Sequence, residues 1–180
     1  MKKIGFIGLG VMGYPMAGHM QSSGYEVSVF NRTNQKALKW KEEFSGKVSS
    51  SIDELSENSD FIFLCVGNDK DVRSLVLGEG GILENARENT LIIDHTTTSS
   101  KLSVELSGKC HSKNVGYIDA PVSGGEVGAI EGQLTVMCGG NQNDFEEAYE
   151  LISCYSKFIK LMGPSGSGQL TKMVNQITIT

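Results

Sequence analysis

The chain has 180 residues, 39% of them apolar and 21% charged, with a formal net charge of −5; that is length for one domain with its own core and the composition of an ordinary globular protein. The acidic balance argues against nucleic acid or an anionic membrane surface as a partner, and no apolar run approaches the roughly 20 residues of a membrane span. Four cysteines (Cys65, Cys110, Cys138, Cys154) lack C-x-x-C spacing and fit reduced, buried thiols; with an N-terminus that is already a first strand and shows no signal peptide, a cytoplasmic protein is expected.

In chain order, residues 4–9 form a short apolar run suited to a buried strand. The chain then turns through Gly8, Gly10 and Gly13 into a helical pattern of Met12, Met16, Ala17 and Met20. This is G-x-G-x-x-G between a strand and a helix. Gly8 permits the tight turn, Gly10 lets a pyrophosphate approach the backbone, and Gly13 lets the helix pack on the strand. The helix then offers its N–H groups and positive dipole end to the phosphates. A plain structural turn is the competing reading.

Residues 25–30 (YEVSVF) make a second strand, and a helix is expected over residues 34–44. A short helix over residues 51–59 carries Ser51 and Glu54 at capping-box spacing. Strands follow at 60–66, 90–94, 115–119, 134–138 and 158–161, with helices near 71–77, 100–113 and 143–155. The alternation predicts an α/β, Rossmann-like doubly wound, mainly parallel sheet with helices on both faces.

The second strand ends in Asn31-Arg32-Thr33, where an NAD-preferring fold places Asp or Glu on the ribose 2′-OH. A guanidinium and a hydroxyl can instead bind a 2′-phosphate, so NADP is the expected cofactor, with NAD possible. A solvated turn with an incidental arginine is the alternative. Two further strands end in Gly67-Asn68-Asp69 and His95-Thr96-Thr97-Thr98, positions where ligands of open α/β sheets bind. The hydroxyl run can contact the nicotinamide ribose or, alternatively, cap a helix. His95 lacks an obvious carboxylate partner and is expected to be structural. No metal site is expected, since His19 and His111 have no companions at ligand spacing.

The strand ending at Asp119 leads into Ala120-Pro121-Val122-Ser123-Gly124-Gly125, a turn able to hold a carboxylate in a nest of donors, or simply a tight loop before a helix. A last Gly-rich turn, residues 163–168, opens a helix with Leu170, Met173, Val174 and Ile177 at i, i+3, i+4, i+7 spacing. Lys172, Asn175 and Gln176 share a neighbouring face. A lysine there can pass a proton to or from a substrate oxygen that Asn175 orients. Alone, such a lysine is most often a solvated surface residue; the three glycine-rich loops together make it a candidate.

GFIGLGVMG, DAPVSGG and GxGxxxKxxN, in this order and spacing, resemble the β-hydroxyacid dehydrogenase family. That family includes 3-hydroxyisobutyrate dehydrogenase, tartronate semialdehyde reductase, succinic semialdehyde/glyoxylate reductase and, more distantly, 6-phosphogluconate dehydrogenase. The resemblance implies cofactor contacts from Gly8, Gly10, Met12, Gly13, Asn31, Arg32, Val66 and Thr97; Leu9, Val11, Thr33 and Asn68, in the same turns, are further candidates for cofactor binding. It implies substrate contacts from Ser123, Gly124 and Gly125, with Lys172 catalytic and Asn175 supporting it. The substrate would be a small carboxylate-bearing aldehyde or hydroxy acid, and the full-length parent a homo-oligomer. Imine reductases share the fold but lack the lysine. The Asn-Arg-Thr turn looks more like the NADPH-using semialdehyde and glyoxylate reductases.

Family members continue into an all-helical domain that closes the substrate cleft. Residues 1–164 would therefore be the NADP-binding domain and 165–180 the start of the interdomain helix. The chain is expected to be a fragment or a truncated gene product that binds cofactor with little or no turnover. Two rivals stand beside this reading: a non-catalytic NADP-binding module, and an oxidative decarboxylase like 6-phosphogluconate dehydrogenase.

Overall fold

The computed structural model describes residues 2–179, with the side chains of 177–179 outside that description. Nine strands form one sheet among these residues: β1 (Lys3–Ile7), β2 (Glu26–Phe30), β3 (Lys47–Val48), β4 (Phe61–Leu64), β5 (Leu91–Asp94), β6 (Gly116–Asp119), β7 (Val122–Ser123), β8 (Leu134–Gly139) and β9 (Ser156–Gly163). The order β3-β2-β1-β4-β5-β6 is parallel throughout. The chain leaves β1 toward β2 and later resumes on its other side with β4, so the topological switch point lies between β1 and β4.

Apolar residues alternate along each central strand and divide two cores. Ile4, Phe6, Phe61, Phe63, Leu91 and Ile93 face one, and Ile7, Ile62, Leu64 and Ile92 the other. Onto the first face pack α1 (Gly13–Ser22), α2 (Asn34–Phe44), α7 (Gly125–Ile130) and α8 (Gln142–Ile152), through residues such as Met16, Trp40, Ala129 and Leu151. Onto the second pack α3 (Ile52–Glu57), α4 (Asp69–Leu77), α5 (Ile82–Asn85) and α6 (Ser100–His111), through Leu55, Val72, Ile82 and Leu106. Burying both faces is what lets the strands be nearly continuous apolar runs.

The expected mainly parallel sheet departs from parallel at β8, which runs antiparallel to β6 and β7 on one side and parallel to β9 on the other. Residues 124–133, which join β7 to β8, are too few for the crossover of about a dozen or more that a parallel return requires. Strand and helix limits shift by up to three residues from expectation, the largest where α8 ends at Ile152 and residues 153–155 form a 3-10 turn. Ser51 Oγ accepts the Glu54 N–H at 3.3 Å, but Glu54 reaches back to Ser50 rather than to Ser51, so the box is offset by one residue. A last helix, α9 (Ser167–Ile179), lies against β8.

Candidate active site at the carboxyl edge of the sheet

Gly8 leaves β1 at φ +101°, and a Cβ there would lie 2.2 Å from the Cys65 carbonyl oxygen. A Cβ on Gly13 would meet the Gly8 carbonyl at 2.0 Å, so the close approach of α1 to the turn requires glycine. Gly10 differs: nothing lies within 4 Å of its Cβ position. That side of Gly10 is open. Among the described residues, the amides of Gly10, Val11 and Met12 donate no hydrogen bond, and α1 begins without a side-chain cap or an acidic first turn. These residues fit an anionic dinucleotide. Leu9 is different again, because its side chain is core and its N–H donates to Asn31 Oδ1 at 2.9 Å.

Asn31 therefore braces the turn from the end of β2, and its Nδ2 donates to Thr33 O at 3.0 Å. Arg32 and Thr33 are exposed beside it, and Arg32 enters none of the ion pairs of the described residues. Both face solvent where β2 ends, with no carboxylate in Asn31-Arg32-Thr33.

The loops after β4 and β5 are tied together. Val66 N–H donates to Thr96 Oγ1 at 3.1 Å, and Ser99, which caps α6, donates to Asp69. Asn68 caps α4 by accepting from the amides of Lys70 and Asp71, so its carbonyl oxygen is already engaged. In the threonine run Thr96 and Thr98 are buried and Thr97 alone is exposed. The cap of α6 is Ser99, so the run itself is not the cap.

His95 is structural: Nδ1 donates to the Ala120 carbonyl at 2.6 Å and Nε2 accepts from the Tyr155 hydroxyl at 2.8 Å. Burial lowers its pKa to about 4, keeping it neutral. Asp94, wholly buried, accepts from the Thr96 N–H and the Tyr117 hydroxyl, yet burial still raises its pKa to about 7. Among the described residues no cluster of His, Cys, Asp or Glu is placed to hold a metal ion, and the four cysteines are free.

Gly124 and Gly125 adopt φ of +131° and +62° and open α7, while the half-buried Ser123 pairs with Thr135 of β8. Opposite the end of β6, α9 is anchored through Asp119. Its carboxylate accepts the N–H of Gly166 at 2.6 Å and of Gln169 at 3.0 Å. Lys172 and Asn175, one and two turns farther on, are both half-buried. Burial lowers the Lys172 pKa, and no carboxylate pairs with it among the described residues.

The apolar spacing in α9 does not mark a buried face. Leu170, Met173 and Val174 are 51%, 53% and 65% exposed, and the Ile177 side chain lies outside the described residues. What the helix buries is Gly168 and Gln169. Asp119 and Gln169 are the functional candidates that sequence reading passed over, although both stand inside the quoted motifs.

A family model described as the NAD binding domain of 6-phosphogluconate dehydrogenase matches residues 3–163. An uncharacterized oxidoreductase of Shewanella frigidimarina (strain NCIMB 400) is 48% identical over 99% of this chain and 62% of its own length. The 2-hydroxy-3-oxopropionate reductase of Escherichia coli (strain K12) is 35% identical over 98% of this chain and 60% of its own length. A solved structure of Mycobacterium tuberculosis 3-hydroxyisobutyrate dehydrogenase with L-serine superposes with a TM-score of 0.93 at 29% identity, over 99% of this chain and 60% of that one. The chain thus spans about 60% of the length of these relatives. Among the described residues no helix is long and apolar enough to cross a membrane.

Proposed function

The chain belongs to the family of the NAD binding domain of 6-phosphogluconate dehydrogenase, and from that premise we propose that it is the cofactor-binding part of an NADP-preferring oxidoreductase acting on a small β-hydroxy acid or semialdehyde. The observation that carries the reading is the glycine turn beside the β1/β4 switch point. Its unpartnered amides and the open space at Gly10 adjoin the exposed Arg32 and Thr33. When bound, the nicotinamide supplies hydride exchange with the substrate carbon. The protein's part is position, charge and the proton.

Gly8 to Gly13 and Val66 receive the dinucleotide, Arg32 and Thr33 its 2′-phosphate, and Thr97 its nicotinamide ribose. Ser123, Gly124 and Gly125 hold the substrate carboxylate. Lys172 gives a proton to the substrate oxygen in reduction and takes it in oxidation, while Asn175 orients that oxygen. Partial burial of Lys172 supports both directions, because a pKa below the ordinary lysine value makes the neutral amine more accessible. The longer relatives support a further reading, that this chain alone binds cofactor but turns over little. Oligomerisation of the full protein and a cytoplasmic location belong to the same proposal.

The test is a calorimetric titration of the chain with NADPH and NADH in parallel. NADPH is expected to bind at least about tenfold more tightly, a preference that Arg32→Ala abolishes, since a charge-assisted contact to phosphate is worth that much. Preference for NADH overturns the cofactor assignment. Binding of neither overturns the dinucleotide site in this chain.

A further inference from the structure

Gln169 is a polar side chain only 2% exposed, on the first turn of α9. Its Oε1 accepts the N–H of Thr98 at 3.0 Å, and its Nε2 donates to the carbonyl of Thr96 at 2.8 Å. The two bonds grip the backbone on either side of Thr97, the exposed member of the threonine run. A carboxamide offers a donor and an acceptor side by side, which is what a backbone carbonyl and an amide two residues apart require.

The same residue is fixed from the other direction, because its own N–H donates to Asp119 at the end of β6. A Cβ on Gly168 would sit 2.4 Å from the Met137 carbonyl, so the first turn of α9 is also seated tightly on β8. Lys172 lies three residues beyond Gln169, one turn along the same helix.

Thr96 has independent supports: its N–H donates to Asp94 and its hydroxyl accepts from Val66. Gln169 adds a direct tie between the backbone on both sides of Thr97 and α9. Resting on the reading above, we propose that Gln169 is a positioning residue. It clamps the loop that meets the nicotinamide half of the cofactor to the helix that carries Lys172, so the two act in one fixed geometry without Gln169 itself touching cofactor or substrate.

The test compares the 180-residue chain with Gln169→Met, which keeps volume and loses both bonds, and with Gln169→Glu, which keeps the acceptor for Thr98. Amide hydrogen exchange at Thr98 is followed without ligand. Affinities are then measured for NADPH and for 2′-phospho-ADP-ribose, which shares the adenosine end and lacks the nicotinamide. Gln169→Met is expected to speed Thr98 exchange about tenfold and to weaken NADPH about tenfold, leaving the fragment within about twofold. Gln169→Glu is expected to keep Thr98 protected and to lower the NADPH-to-fragment ratio about threefold; it decides the matter if the Met variant does not fold. Unchanged exchange in Gln169→Met, or equal losses for both ligands in either variant, overturns the proposal. If the unaltered chain binds neither ligand, the dinucleotide reading falls and Thr98 exchange alone decides the clamp.

Discussion

Asn31 accepts the backbone N–H of Leu9 at 2.9 Å, joining the end of β2 to the glycine turn. The bond makes the residue proposed to stand at the cofactor-choice position also a brace of the glycine turn. Asn31→Asp keeps the acceptor for Leu9 and places a negative charge where the 2′-phosphate would lie. NADPH affinity is expected to fall at least about tenfold while NADH affinity holds or rises. Parallel titrations check this, and equal losses for both cofactors count against the site.

Two glycines of one turn should separate binding from stability. Gly13→Ala drives a Cβ to within 2.0 Å of the Gly8 carbonyl and is expected to cost about 1–3 kcal/mol of stability. The Cβ that Gly10→Val adds meets nothing within 4 Å, so the variant's melting temperature should stay within about 2 °C. Its added bulk fills the pyrophosphate path, and NADPH affinity should drop at least about tenfold. Thermal melts with titrations distinguish the two; a Gly10 variant as unstable as the Gly13 variant contradicts the geometry.

Strands such as β4, with Phe61 and Phe63 to one side and Ile62 and Leu64 to the other, were legible because an apolar run flanked by helices has few other uses. The two-residue strands β3 and β7 and the single-turn α5 were not, since they carry no period. Asn31 was legible as the residue that ends the second strand, but its bond to Leu9 joins positions 22 apart and has no local signal. Gln169 stayed hidden for the opposite reason: a glutamine in a helix is ordinarily exposed, and only the folded chain shows Thr96 and Thr98 around it. The apolar spacing of Leu170, Met173 and Val174 is real, yet periodicity states which residues share a face, not what covers it.

Buried Asp94 gives a pH signature with a definite sign. Burial raises its carboxyl to about 7, above the ordinary value near 3.9, so the folded state holds the proton more tightly. Stability from this group is full below about pH 4 and is lost as pH rises through about 7, by up to about 1.4 kcal/mol per unit. Asp94→Asn keeps an acceptor for the Thr96 N–H and has no proton to lose. Its melting temperature should therefore gain on the unaltered chain between pH 4 and 7. His95, which titrates in both proteins, cancels in the difference. A difference that stays constant with pH contradicts the assignment.

On the proposed reading Lys172 carries the proton step, and its partial burial sets a directional expectation. In a protein that carries this chain with the further length of its relatives, Lys172→Ala should lower turnover by about 10²-fold or more. NADPH affinity should stay within about twofold, because the proposal puts the lysine on the substrate oxygen rather than on the dinucleotide. Oxidation requires the neutral amine, so its rate should rise with pH through a pKa below the ordinary lysine value near 10.4, whereas reduction should fall over the same range. Steady-state pH profiles in both directions check this. Substantial turnover in Lys172→Ala, or an oxidation limb that survives the substitution unchanged, removes Lys172 from the proton step and returns it to the solvated surface where a lone helical lysine usually belongs.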